Sequence, residues 1–276
     1  MPDRVSLAVN SPYKHFEVQF NTGSGFTLPV FWAPLDSQGK TDSGWNGISA
    51  TDGNGRNYVI LADINGDGLP DRVMKSVATT YTNWVVQYNN GAGFEPDAIW
   101  GPLDNQGNTG DSAWGSPIGS DGAKVFSTLM DINGDGLPDH VMRPESAPYT
   151  NWLVQLNTGT GFAATTTFGP IDGQGSSAAD WHDISANSGS DTYVDLIDMD
   201  GDGLPDRVMR RDVSPYTNFV VQLNQGPFPD LLNVVSNGIG GSVQVSYLPS
   251  TTLNNRDKDW TSDPWAEGGK SLLPFN

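Results

Sequence analysis

The feature that most constrains this chain is an acidic loop of nine residues that occurs three times at a nearly constant spacing. Each copy reads Asp-x-Asn/Asp-Gly-Asp-Gly-Leu-Pro-Asp, and the copies begin at Asp63, Asp131 and Asp198, at offsets of 68 and 67 residues. A long fixed period is typical of repeat proteins, in which each period forms one supersecondary unit that packs on the next. The sequence therefore predicts an array of similar units.

Other motifs keep the same step. Tyr-Thr-Asn-Trp/Phe segments begin at Tyr81, Tyr149 and Tyr216, and each leads into an alternating segment that ends in Gln-x-Asn. A Pro-Leu/Ile-Asp-x-Gln-Gly motif and one tryptophan also recur in each period. The recurrent prolines are Pro34, Pro102 and Pro170, and the recurrent tryptophans are Trp45, Trp114 and Trp181.

Each period contains about four short segments with strand character, separated by dense Gly, Pro and Asn punctuation. In the first complete period they are residues 58–62, 72–77, 84–88 and 94–100. Four antiparallel strands per unit are typical of a propeller blade. We therefore predict an all-β fold: a β-propeller, or part of one, with three to four repeats of about 67 residues. A solenoid is the competing geometry.

The domain plan follows the repeats. Residues 1–228 are predicted to hold them, residues 229–249 a β-hairpin around a Gly-rich turn, and residues 250–276 an irregular tail or linker. Met1-Pro-Asp-Arg-Val aligns with Leu69-Pro-Asp-Arg-Val, so the chain is expected to start within a repeat. Asp3 would then be the last residue of an incomplete acidic loop.

Composition excludes several functions. The net charge of -18, with only 14 Lys and Arg, disfavours nucleic acid and anionic membranes, which need clustered basic residues. The absence of cysteine excludes a disulfide framework and a thiolate zinc site. No apolar run approaches the roughly 18 residues of a membrane span.

The acidic loops present oxygen atoms at positions 1, 3, 5 and 9, with a backbone carbonyl at position 7. Calcium accepts six to eight oxygen ligands in flexible geometry, so the three loops predict about three Ca²⁺ ions. An EF-hand is excluded, because it needs Glu at position 12, where this chain has Met. The alternative is that the loops are metal-free turns, which Asp, Asn and Gly also form. The predicted ligands are Asp63, Asn65, Asp67, Leu69 and Asp71; Asp131, Asn133, Asp135, Leu137 and Asp139; and Asp198, Asp200, Asp202, Leu204 and Asp206.

These loops and their flanking strands resemble the FG-GAP/VCBS repeats of integrin α-like propellers over about residues 1–225. Residues 231–250 resemble the segment that follows such repeats in SpvB-like and Rhs-like toxins, including the B component of insecticidal toxin complexes. The resemblance implies calcium at the loops, a secreted bacterial origin, and a docking role within a larger toxin polypeptide.

Two other functions are kept open. A lectin could stack sugar rings on Trp45, Trp114 and Trp181, whereas the simpler interpretation is that these rings pack between units. A calcium-dependent propeller hydrolase is the second alternative. We expect no enzyme, because the three histidines occupy unrelated repeat positions and no Gly-x-Ser-x-Gly motif occurs.

The sequence thus predicts a calcium-binding β-propeller scaffold of a secreted, toxin-like bacterial protein. Its expected partner is another protein or the parent toxin polypeptide, with glycans as the alternative. If the chain forms only an arc, its terminal units would expose strand edges that a second copy could cover, so a homodimer is also a hypothesis.

Overall fold

The computed structural model describes residues 1–40, 43–78, 80–108, 113–226, 234–237 and 241–245. These residues form nineteen β-strands and two short 3-10 helices, Ser43–Asn46 and Ala179–His182, with no α-helix among them. The described part of the chain is therefore nearly all-β, as predicted. It contains no helix with the length and apolar character needed to cross a membrane.

Within each of four groups of strands, neighbours in the sequence pair antiparallel, so each group folds into a meander. The first two meanders form separate sheets of three and five strands. The first sheet contains β1 (Arg4–Leu7), β2 (Phe16–Gln19) and β3 (Val30–Trp32). The second contains β4 (Ala50–Thr51), β5 (Asn57–Ala62), β6 (Asp71–Lys75), β7 (Trp84–Gln87) and β8 (Ala98–Trp100).

The next two meanders share one nine-stranded sheet. One meander contains β9 (Gly119–Ser120), β10 (Lys124–Met130), β11 (Asp139–Met142), β12 (Trp152–Gln155) and β13 (Thr166–Phe168). The other contains β14 (Ser185–Ser188), β15 (Asp191–Ile197), β16 (Asp206–Arg210) and β17 (Phe219–Gln222).

The four strands predicted for the first complete period correspond to β5, β6, β7 and β8. The fourth is shorter than predicted: it begins at Ala98, and Phe94 forms only an isolated bridge to Asn89. The short strand β4 was not predicted, because two residues give no periodic signal.

A propeller of separate blades is not confirmed. Strand β10 pairs with β14 through Lys124↔Ala186 and Val125↔Ser185, and this pairing merges two meanders into one sheet. Propeller blades are individual sheets arranged around a channel. The local meander was therefore predictable, whereas the connection between meanders was not.

Two further strands, β18 (Val234–Ser236) and β19 (Ser242–Gln244), pair antiparallel within the segment in which the sequence predicted a hairpin. The predicted tail, residues 250–276, lies outside the described residues. The division at residue 228 therefore remains a prediction.

The core between successive meanders combines aromatic rings with aliphatic side chains. Trp84 and Trp100 are fully buried, and the ring of Phe162, from the next period, packs edge-on against both at 5.4 and 6.0 Å. Ile64, the second residue of the first acidic loop, belongs to the same cluster. Ile132 of the second loop is likewise buried in a core cluster, whereas the equivalent Met199 of the third loop is 47% exposed, so only the first two loops are anchored in the core in this way.

Three glutamines of the Gln-x-Asn motifs, Gln87, Gln155 and Gln222, hold neighbouring periods together. Gln155 accepts a hydrogen bond from the Asp104 amide at 2.7 Å and donates to the Pro102 carbonyl at 3.0 Å. Gln87 makes the same two contacts with Asp36 and Pro34. The recurrent Pro-Leu-Asp-x-Gln-Gly motif thus docks on the glutamine of the following period.

Candidate metal-binding loops

Each acidic loop connects two antiparallel strands and ends on the first residue of the second strand. The first loop joins β5 to β6, the second β10 to β11 and the third β15 to β16. Gly66 and Gly68 of the first loop have φ of +78° and +85°, a region that side chains rarely adopt. These glycines turn the chain sharply enough for alternate side chains to converge.

The carboxylate at position 1 organises the turn. Asp63 Oδ1 accepts hydrogen bonds from the amides of Gly66 and Asp67 at 2.8 and 3.1 Å, and Oδ2 accepts from Gly68 at 2.8 Å. Asp131 makes the same three contacts. The loop amides therefore face this carboxylate, a hydrogen-bond pattern that Asp also makes in turns that bind no metal.

The carboxylate at position 9 is the most buried. Asp71 accepts hydrogen bonds from the amides of Asn89 at 2.8 Å and Ile64 at 3.2 Å, and Asp139 and Asp206 repeat this arrangement. Burial, opposed by these hydrogen bonds and reinforced by the neighbouring loop carboxylates, raises the pKa of Asp71 to about 6. A nearby cation would remove that repulsion and favour the ionised form.

The third loop brings carboxylates closest together. One carboxylate oxygen each from Asp198, Asp200 and Asp206 lies within 4.8 Å of the others. Oxygen-only donors converging at this spacing suit a hard divalent cation such as calcium. The first two loops have the amides of Asn65 and Asn133 in place of Asp200. The residues of the third loop therefore fit the predicted ion, whereas in the first two loops the ligand set remains a prediction.

The leucines at position 7 are held close to the acidic residues. The amides of Leu69, Leu137 and Leu204 each donate to the position 5 carboxylate, Asp67, Asp135 or Asp202, at 2.8 Å. Their carbonyls as metal ligands remain a prediction. In the first meander, Asp3 Oδ1 accepts from the Asn21 amide at 2.8 Å, so Asp3 occupies the position 9 geometry, as the alignment predicted.

The recurrent tryptophans lie in core clusters. Trp114 and Trp181 are buried and pack on Phe126 and Tyr193 at 4.6 and 5.0 Å between ring centroids. Trp45 is half-buried and packs on Tyr58 at 4.8 Å. Stacking on a sugar requires an accessible ring face, so these positions favour the packing interpretation.

Sequence reasoning missed the residue that connects consecutive loops. The asparagine of Gln-x-Asn reaches the preceding loop: Asn157 Nδ2 donates to the Ile64 carbonyl at 2.8 Å, and Asn224 Nδ2 donates to the Ile132 carbonyl at 2.8 Å. The signal was present, because this asparagine recurs in register with the loops. Its partner could not be inferred, since it lies more than 90 residues away.

The fold and loops together define an all-β protein of repeated antiparallel meanders with acidic loops between strands. Residues 163–268 match the family model described as "Insecticide toxin TcdB middle/N-terminal region". The C-terminal part of the chain is thus related to a toxin-complex family. None of the curated proteins compared with the chain matches it.

Two solved structures show a partial likeness to this chain. One is the Photorhabdus luminescens Tc holotoxin pore, with 19% identity, a TM-score of 0.49 and coverage of 86% of this chain. The other is an Agrocybe aegerita lectin that recognises non-reducing terminal N-acetylglucosamine, with 19% identity, a TM-score of 0.45 and coverage of 78% of this chain. The chain spans 9% of the length of the first and 45% of the second.

Proposed function

We propose that this chain is a calcium-stabilised scaffold and protein-docking module of a secreted, toxin-complex-related bacterial protein. Its meanders would form an open propeller-like array, and its partner would be another part of the toxin polypeptide or complex. The family match over residues 163–268 supports the toxin relationship. The role is one of binding rather than catalysis.

One observation carries the calcium assignment: carboxylate oxygens of Asp198, Asp200 and Asp206 converge within 4.8 Å on a loop that recurs in three copies. Like charges this close repel each other, and an ion that binds only the folded chain would stabilise it. At a free calcium concentration 100 times the Kd, each site would add about 2.7 kcal/mol.

The test is a calorimetric calcium titration combined with thermal unfolding in calcium and in chelator. We expect about three ions per chain and a higher Tm in calcium. Absence of binding heat together with equal Tm values would overturn the proposal.

The third loop offers a matched pair of variants. Asp200→Ala removes the position 3 oxygen and should abolish or strongly weaken one site. Asp200→Asn reproduces the residue found at this position in the first two loops, so it should keep all three sites. Asp195→Ala, at an exposed carboxylate outside the loops, controls for a general loss of negative charge.

A further inference from the structure

Hydrogen bonds connect the first acidic loop to the second and the second to the third. We propose that the loops bind calcium as a coupled series, in which Asn157 connects the first loop to the second and Asn224 connects the second to the third. This inference rests on the proposed function, since it concerns how the calcium sites influence each other. Asn157 and Asn224 are positioning residues and are not themselves calcium ligands.

Asn157 is bonded to two loops at once. Its amide N–H donates to Asp139 Oδ1, in the second loop, at 2.8 Å. Its side-chain Nδ2 donates to the Pro138 carbonyl of the same loop at 3.1 Å and to the Ile64 carbonyl of the first loop at 2.8 Å. Asn157 is only 4% exposed, so water does not readily replace these bonds.

The same connection recurs one period later. The Asn224 amide donates to Asp206 Oδ1, in the third loop, at 2.9 Å, and its Nδ2 donates to the Ile132 carbonyl of the second loop at 2.8 Å. Asn224 is also buried. A carboxylate predicted to bind metal in one loop is thus joined through one residue to the backbone of the preceding loop.

Direct packing adds a second contact between the first two loops. A Cβ atom added to Gly66 would lie 2.5 Å from Leu137 Cδ2, so the Leu137 side chain rests on the backbone of the first loop. Leu137 is also the residue whose carbonyl is the predicted position 7 ligand of the second loop. Ordering the second loop therefore fixes a surface against which the first loop packs.

Coupling follows from this arrangement. An ion in the second loop would hold Asp139 and Leu137 in place, and hence Asn157, which reduces the ordering that the first loop requires when it binds its own ion. Linkage is reciprocal, so the first ion must favour the second to the same extent. We expect positive cooperativity between adjacent loops.

The first repeat supplies a matched control. Asn89 occupies the same motif position, and its Nδ2 donates to the Pro70 carbonyl at 3.2 Å, as Asn157 does to Pro138. Among the described residues, Asn89 has no hydrogen bond to a preceding acidic loop. Asn89→Ala therefore removes the bond to Pro70, together with the bond that Asn89 Oδ1 accepts from the Trp32 indole N–H at 3.2 Å, while leaving the contact between loops intact.

The experiment measures calcium affinity of the first loop calorimetrically, with the third loop disabled by Asp200→Ala. Two variants that both carry Asp200→Ala are compared. In one the second loop is intact, and in the other it is disabled by Asn133→Ala. Disabling the second loop should weaken the first by about 5-fold or more, the lower end of typical coupling between sites. In an Asn157→Ala background this ratio should be clearly smaller, because only the packing of Leu137 on Gly66 then connects the two loops, whereas in Asn89→Ala it should keep its full size.

The outcomes separate the two proposals. Calcium binding with the same first-loop affinity whether or not the second loop is intact would overturn the coupling and leave the calcium assignment standing. No calcium binding by the unsubstituted chain would overturn both. Should Asn157→Ala fail to fold, Asn224→Ala tests the same contact between the second and third loops, with the first loop disabled by Asn65→Ala.

Discussion

Gln155 Nε2 donates a hydrogen bond to the carbonyl of Pro102 at 3.0 Å, across 53 residues of sequence. The same amide group donates to the Ala163 carbonyl, and Oε1 accepts from the Asp104 amide. One buried side chain thus satisfies backbone groups from two periods. Buried backbone groups without a partner are costly, so this residue should contribute strongly to stability.

Gln155→Leu should lower the free energy of unfolding by about 1–3 kcal/mol, the cost of unsatisfied buried polar groups. Urea denaturation followed by tryptophan fluorescence measures the change. Gln19→Leu is the control, because Gln19 holds the same motif position but is only half-buried and bonds to Arg4 and Thr27 within its own meander. Equal losses in both variants would contradict the role assigned to Gln155.

Trp84→Ala should destabilise the chain by about 3–5 kcal/mol, because it removes a fully buried indole from the central aromatic cluster. It also leaves the Gly115 carbonyl without the indole N–H that donates to it at 3.0 Å. Phe219 occupies the equivalent position in the last meander and is 70% exposed, so Phe219→Ala should cost less than about 0.5 kcal/mol. Chemical denaturation of both variants tests the contrast.

Gly66→Ala should cost more than Gly68→Ala, although both glycines have positive φ. Both substitutions incur backbone strain of about 1–2 kcal/mol. Only the Cβ at position 66 collides with Leu137, which adds about 1–3 kcal/mol of overpacking. Unfolding measured in chelator isolates this effect from metal binding, and equal costs would show that the two loops are not in contact.

His140 should make stability fall as the pH is lowered. Burial lowers the pKa of His140 from its ordinary value of 6.5 to about 4, while its hydrogen bond to Gln155 and the charge of Asp104 oppose the shift. Above pH 6.5 the imidazole is neutral in both states. Between pH 6.5 and about 4 only the unfolded chain takes up the proton. This lowers the free energy of unfolding by roughly 3 kcal/mol, at 1.36 kcal/mol per pH unit.

The measurement is the pH dependence of unfolding in chelator, compared between the unsubstituted chain and His140→Gln. The raised pKa values of Asp71 and Asp139 act in the opposite direction and are common to both proteins, so only the difference between the curves reports on His140. Parallel curves would contradict the prediction.

The period of the acidic loop was sufficient to predict the meanders and the positions of the loops within them. Strand alternation and turn residues are local properties, and β5, β6 and β7 followed from them. The pairing of β10 with β14 depends on contacts about 60 residues apart, which leave no periodic trace. The single shared sheet was therefore not predictable.

Buried charge also escaped sequence reasoning. Position 10 after the loop start holds Arg72, His140 and Arg207, and all three are buried even though Arg and His are usually exposed. Arg72 and Arg207 reach the Trp45 and Trp181 carbonyls, and His140 instead bonds to Ser127. The sequence shows that a basic residue recurs at this position. Its burial could not be predicted, because it depends on packing against segments that are distant in the sequence, such as those of Trp45 and Trp181.

The glutamine contacts join each period to a motif that precedes its acidic loop, so a structurally complete unit does not begin where the sequence period begins. A segment that runs from the first acidic loop to the second would contain Gln87 but would lose the Pro-Leu-Asp-x-Gln-Gly motif at Pro34 to which Gln87 bonds. Truncated variants of this chain should therefore begin upstream of Pro34, Pro102 or Pro170, so that each of these motifs stays with the glutamine that binds it.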